Sequence, residues 1–209
     1  ELVGAVEEER FNRIKHGKQA KFDNPHQLPE HAIRFCLNYA GLTAGDIGHV
    51  AYSFDPKLRR TRYRADWWDP RLEETFRLRL GQVRGSIEEL LGRSLGQRLH
   101  FVPHHLAHAA SAYFPSGFDR AAILTIDGMG ETACSSLAKA IGTRIQPVET
   151  FEYPHSIGFL WEVFTGYLGF SHYDASKVMG LAAYGNPEVF HQQFRSILRA
   201  DEVNYGVAQ

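Results

Sequence analysis

Residues 104–131 read HHLAHAASAYFPSGFDRAAILTIDGMGE, and this stretch decides how the rest of the chain is interpreted. His104 and His108 stand at i and i+4 at the head of a small-residue segment, 104–113, that predicts a helix. On a helix that spacing puts both imidazoles on one face, one turn apart. A Pro-Ser-Gly turn follows. The apolar run over residues 121–127 then predicts a buried strand. It ends on Asp127-Gly128-Met129-Gly130-Glu131.

Two neutral imidazole nitrogens can meet one metal ion, and a strand-end carboxylate is the natural third ligand. His104, His108 and Asp127 are therefore candidate metal ligands, a set that leaves coordination positions open to substrate oxygens. Such a centre acts as a Lewis acid on a phosphoryl or carbonyl oxygen. HxxxH alone is a weak signal, more often a feature of helices that bind nothing. His105 and His100 are read as bystanders. Gly128 and Gly130 allow backbone amides to approach a phosphate closely, an ordinary glycine hairpin turn being the plain alternative. Glu131 either accepts a hydrogen bond from a ligand hydroxyl or opens the next strand. Lys177 can neutralise a phosphate as a compact point charge, next to Gly180 and Gly185. A solvent-facing lysine is the plain alternative there.

Around this centre the chain alternates helix and strand. Residues 1–9 have the small, alternating apolar pattern of a strand, and 10–21 read as a basic loop in which Lys15-His16 could reach an anion. Residues 25–39 have apolar positions at helical spacing, with Gly41 as C-cap. Thr43 and Asp46 mark a capped turn, and 47–54 a strand. Residues 57–98 are rich in arginine and helical over 71–95, and are read as an insertion over a substrate cleft. Their arginines form a wet face or a surface for an anionic partner, and Trp67-Trp68 line a pocket or pack. Further strands are expected at 99–103, 132–138 and 145–153. A helix capped by Ser156 comes next, with His155 at its start and Gly169 ending or bending it. A last helix is expected from Pro187 to about residue 200. The sum is an α/β fold with a mixed sheet flanked by helices.

Composition narrows the function. The 209 residues carry 23 Lys and Arg against 24 Asp and Glu, a net charge of −1. That gives no global bias toward nucleic acid or membrane. Cys36 and Cys134 are the only cysteines, which makes a disulfide framework unlike this chain and a reducing cytoplasm the best fit. No apolar run approaches the roughly 20 residues of a membrane span, and no stretch reads as a signal peptide. A first residue other than Met, leading straight into a strand pattern, suggests part of a longer protein.

Four motifs in order, VEEERFNRIKHG (6–17), HHLAHAASAYFPSGFDRAAILTIDGMGE (104–131), HSIGFLWEVFTGYLGF (155–170) and KVMGLAAYG (177–185), resemble the O-carbamoyltransferases of the nodulation-factor and antibiotic-tailoring type. The resemblance implies an actin-like or sugar-kinase type domain with ribonuclease-H-like halves, here incomplete at both ends. It implies a reaction that uses carbamoyl phosphate and ATP. A C-terminal domain makes carbamoyladenylate, and the domain resembled here moves the carbamoyl group onto a hydroxyl of a sugar or antibiotic. It implies a divalent metal, of the Fe(II) type, on His104, His108 and Asp127. Lys15 matches the basic residue near the carbamoyl group and is the catalytic candidate. Gly128, Gly130 and Glu131 match the nucleotide-side loop, and Lys177 and Gly180 match the KxMGLA segment. Asp174-Ala175-Ser176 departs from the Glu-Tyr or Glu-Gly that often precedes KVMG. The isolated 209 residues are expected not to turn over on their own, and self-association is open. The alternative is a truncated, non-catalytic metal- or nucleotide-binding scaffold. A relative acting on tRNA would draw only on the arginines of 57–98, and the near-neutral charge opposes it.

Overall fold

The computed structural model describes residues 2–14, 17, 25–62, 70–171, 174–201 and 204–207. The chain divides into two units, Glu1–Val102 and Pro103–Gln209. Lys15, His16, Trp67 and Trp68 lie outside the described residues.

The first unit contains helices α1 (Glu9–Asn12) and α2 (Glu30–Ala40), a 3-10 turn at Ala44–Asp46, strand β1 (Val50–Tyr52), helices α3 (Pro56–Arg62) and α4 (Pro70–Leu91), and strand β2 (Leu99–Phe101). β1 and β2 pair in parallel, Ala51 opposite His100. A parallel pair needs a long crossover, and α3 and α4 lie within it. α4 buries Leu80, Val83, Ile87 and Leu91, which join Leu95 and Leu99 in one core, with Val50, Tyr52, Phe76 and Phe101 packed on it. The helical part of 57–98 thus supplies most of the buried core of its unit. Its arginines do not all face water. Arg59 is 4% exposed and holds both carboxylate oxygens of Glu73, at 3.1 and 2.6 Å. Arg77 reaches the same carboxylate at 2.8 Å.

The capping signals were legible. Gly41 takes the left-handed conformation at φ 67°, its N–H bonds Asn38 O and the N–H of Leu42 bonds Leu37 O. Thr43 and Asp46 form a reciprocal capping box. The strand expected over residues 1–9 is a correction, because described residues 2–8 belong to no strand and the chain turns into α1 at Glu9. A strand needs a partner ladder, and a side chain anchors this segment instead. Glu8 accepts from the N–H groups of Ala32 and His31, at the open end of α2.

In the second unit α5 (His104–Tyr113) leads through a 3-10 turn at Phe114–Ser116 into β3 (Arg120–Ile126), β4 (Ala133–Ile141) and β5 (Arg144–Glu152). These form an antiparallel meander, Leu124 opposite Leu137 and Leu137 opposite Glu149. One face packs on α5. Ala109 and Tyr113 meet Ile123 and Ala140, with Ala121, Ala138 and Ile145 alongside. The alanines let the helix approach the sheet closely. The expected burial of 121–127 holds for this face alone. Leu124 and Ile126 point the other way and are 62% and 53% exposed, as period-two alternation dictates. Parallel and antiparallel pairings occur in separate sheets among the described residues, not in the single mixed sheet expected.

α6 (Ile157–Tyr167), α7 (Ala175–Ala182) and α8 (His191–Ile197) follow, then β6 (Leu198–Ala200) and β7 (Tyr205–Val207). The last helix is shorter than the pattern predicts at both ends. Residues 198–200 pair with 205–207 instead, across a turn closed by Asp201 and Asn204. Among the described residues no helix is long and apolar enough to cross a membrane.

Candidate metal centre

The centre is built where α5 begins and β3 ends. α5 starts at His104, so His104 and His108 share one face, one turn apart. β3 delivers Asp127 at its end, and the Asp127 N–H still bonds Cys134 O at 2.8 Å across the ladder. The next amide folds back, Gly128 N–H donating to Asp127 Oδ1 at 2.7 Å. Oδ1 is thereby held toward the backbone, and Oδ2 faces the histidines.

Three atoms converge there. His104 Nε2 lies 3.0 Å from Asp127 Oδ2, and His108 Nε2 lies 3.1 Å from His104 Nε2 and 3.9 Å from Oδ2. One ligand atom from each residue falls within 4.8 Å of the others. Oδ2 is buried and no well-aligned hydrogen bond reaches it. Two imidazoles facing each other through nitrogens, beside a buried carboxylate oxygen, fit a shared cation better than they fit each other. Burial pushes the Asp127 carboxyl up, but His104, the Gly128 N–H and His108 outweigh it and hold the group below its ordinary value. The carboxylate is therefore ionised at neutral pH, as a ligand must be.

His105, read from sequence as a bystander, belongs to the same cluster. It is 8% exposed, its Nδ1 lies 3.0 Å from Ser136 Oγ and its Nε2 3.9 Å from Asp127 Oδ2. Burial pushes its imidazole down, with Asp127 partly opposing, so it is neutral beneath the two outer histidines. The apolar face of α5 carried that signal, because i+1 from His104 points toward the sheet. His100 is elsewhere in the chain, in the first unit, its Nε2 2.8 Å from His49 Nδ1.

The glycine loop adjoins the cluster, with its amides engaged internally. Gly130 N–H bonds Ala133 O at 2.8 Å. A Cβ on Gly130 would stand 3.0 Å from His104 Cβ, and one on Gly128 3.1 Å from Phe159 Cε1. Both glycines thus permit side chains of this unit to close on the loop. Glu131 is buried, and its two oxygens accept from His104 N–H at 3.0 and 3.1 Å. It anchors the first amide of α5, which has no partner within the helix and favours a negative charge.

Lys177 lies inside α7 and pairs with Asp174 at 2.9 Å. That contact and Ser171 hold the Asp174 carboxyl at about 2. A Cβ on Gly180 would meet open space. His155 Nδ1 accepts from Val207 N–H at 3.3 Å.

Ser156 is the N-cap expected, accepting from Phe159 N–H at 3.0 Å. Sequence reasoning missed its second bond, from Oγ to Gly128 O at 2.6 Å. It also missed Gly158. A Cβ there would fall 2.6 Å from the carbonyl carbon and oxygen of Asp127 and from Gly128 N. The signal was a Ser-x-Gly at a helix start, which reads as a cap until the partner backbone is seen.

The sequence model of the family described as "Carbamoyltransferase N-terminus" matches residues 1–205. The nodulation protein NolNO of Sinorhizobium fredii is 39% identical over 193 residues, 90% of this chain and 26% of that protein. The uncharacterized protein sll1178 of Synechocystis is 34% identical over 203 residues, again 90% of this chain and 32% of that protein. The nodulation protein NolO of Bradyrhizobium diazoefficiens is 37% identical over 91 residues, 44% of this chain and 17% of that protein. The chain thus spans no more than about a third of the length of these curated relatives. With a match that runs from its first residue almost to its last, the chain belongs to the carbamoyltransferase family, in its N-terminal region.

Proposed function

We propose that this chain is the metal-bearing N-terminal part of an O-carbamoyltransferase. The reaction moves a carbamoyl group from carbamoyladenylate, made from carbamoyl phosphate and ATP, to a hydroxyl of a small-molecule acceptor such as a sugar or antibiotic. The observation that carries this is the convergence of His104 Nε2, His108 Nε2 and Asp127 Oδ2 within 4.8 Å in a chain of this family. An actin-like, ribonuclease-H-like fold is part of the same proposal, supported by the antiparallel β3-β4-β5 meander followed by α6.

His104, His108 and Asp127 would hold a divalent metal, Fe(II) by resemblance. Bound there, it would supply Lewis acidity toward a phosphoryl or carbonyl oxygen. The chain's own residues orient and stabilise. Asp127 and the two imidazoles fix the position at which donor oxygens are received. Glu131 and the Gly128–Gly130 turn hold α5 against that position. Lys15 would balance negative charge as AMP departs, and Lys177 with Gly180 would act on the nucleotide side. Positioning and electrostatics then carry the catalysis, with no covalent intermediate on the protein.

The test uses a full-length protein that carries this chain, loaded with Fe(II). Supplied with carbamoyl phosphate, ATP and a panel of hydroxylated acceptors, it should consume carbamoyl phosphate and release AMP in an acceptor-dependent way. Absence of any such consumption refutes the assignment.

A further inference from the structure

We propose that Ser156 and Gly158 are positioning residues for Asp127, clamping the Asp127–Gly128 backbone to the first turn of α6 so that the carboxylate meets the two imidazoles. The inference rests on reading His104, His108 and Asp127 as metal ligands.

The backbone of Asp127 is fixed on one side by the ladder, through its N–H to Cys134 O. On the other side stands α6. Ser156 is 2% exposed, and its hydroxyl does two things at once. It accepts from Phe159 N–H and donates to Gly128 O at 2.6 Å, with Asp127 O at 3.4 Å. One side chain therefore caps α6 and ties that cap to the residue after the ligand. Two residues on, Gly158 has no room for a side chain, because the place of its Cβ is 2.6 Å from three backbone atoms of Asp127 and Gly128. That separation lies well inside van der Waals contact. The approach is reciprocal, since the place of a Cβ on Gly128 is 3.1 Å from Phe159 on the same turn of α6.

With the backbone held from both sides, the carboxylate keeps only its two side-chain torsions. Gly128 N–H holds Oδ1 and leaves Oδ2 toward His104 and His108. Toward the ligand, the contacts of Ser156 and Gly158 are to the backbone of Asp127 and Gly128. They act through the residue they hold, as outer groups around a metal site commonly do.

Co²⁺ titration of a full-length protein that carries this chain, read by visible absorption well below thermal unfolding, tests this. Outer-shell substitutions cost roughly 10–100-fold in metal affinity. Ser156→Ala should weaken Co²⁺ binding about tenfold, and Gly158→Ala by more, with the helical circular dichroism of the chain retained. Thr43→Ala removes a helix cap in the first unit and should lower thermal stability while leaving Co²⁺ affinity unchanged. If Gly158→Ala does not fold, Ser156→Ala decides. Unchanged affinity in Ser156→Ala overturns the positioning role and leaves the ligand assignment standing. No Co²⁺ binding by the parent full-length protein overturns the ligand assignment, and this inference with it.

Discussion

Glu131 separates two roles that lie within one motif. The resemblance puts it on the nucleotide side, whereas its carboxylate is buried and engaged by the N–H of His104. Glu131→Gln keeps shape and an acceptor oxygen and removes the charge. A hydrogen bond to a charged group is worth about 1.5–3 kcal/mol against about 1 for a neutral one. A negative charge at a partly buried helix N-terminus adds up to about 2 kcal/mol, partly the same interaction counted again. The combined loss is about 1–3 kcal/mol. The assay is amide hydrogen exchange of residues 104–113, whose opening free energy reports the local loss. Protection there should fall roughly 5- to 150-fold, and Co²⁺ affinity should fall with it because His104 is the residue anchored. Protection within twofold of the parent, together with weakened nucleotide binding, would refute the anchoring role.

Two further substitutions test the first unit. Glu73→Ala removes the carboxylate that both Arg59 and Arg77 engage and should lower stability in urea unfolding by roughly 1–3 kcal/mol, whereas Arg59→Met combined with Glu73→Met should recover part of that loss. Glu8→Gln removes the carboxylate that accepts from the N–H groups at the start of α2 and should cost about 1 kcal/mol at pH 7. Burial pushes the Glu8 carboxyl up, but the N–H of Ala32 and the His31 contacts outweigh it and hold the group below its usual value. Its contribution is then complete above the ordinary Glu value of about 4.3 and lost as pH falls through the folded value. The gap between parent and Glu8→Gln should close as pH falls below the ordinary Glu value of about 4.3. A gap that persists unchanged below about pH 3 would contradict this.

Much of the fold was legible because its signals were local. The helix over 104–113, the Gly41 cap, the Thr43–Asp46 box and the Ser156 cap each depend on neighbours within a few residues. What failed depended on distant partners. Residues 1–9 have a strand's pattern, but Glu8 bonds to α2 instead. Residues 198–200 continue a helical pattern, yet pair with 205–207. Arg59 reads as solvated until Glu73 meets it. At the centre, His104, His108 and Asp127 could be grouped from periodicity and strand-end logic. His105 is read as a bystander to the ligands, although its place on the apolar face of α5 already marks it as buried. Gly158 was hidden altogether. Its requirement comes from backbone contributed by residues about thirty positions earlier.

The most direct measurement of the central claim is Co²⁺ binding to a full-length protein that carries this chain and to its His104→Ala, His108→Ala, Asp127→Asn and His105→Ala variants, each checked for fold by circular dichroism. The account predicts one ion per parent chain, lost in the first three variants and retained in His105→Ala. Equal loss in all four variants, or binding unaffected by His108→Ala, would contradict it.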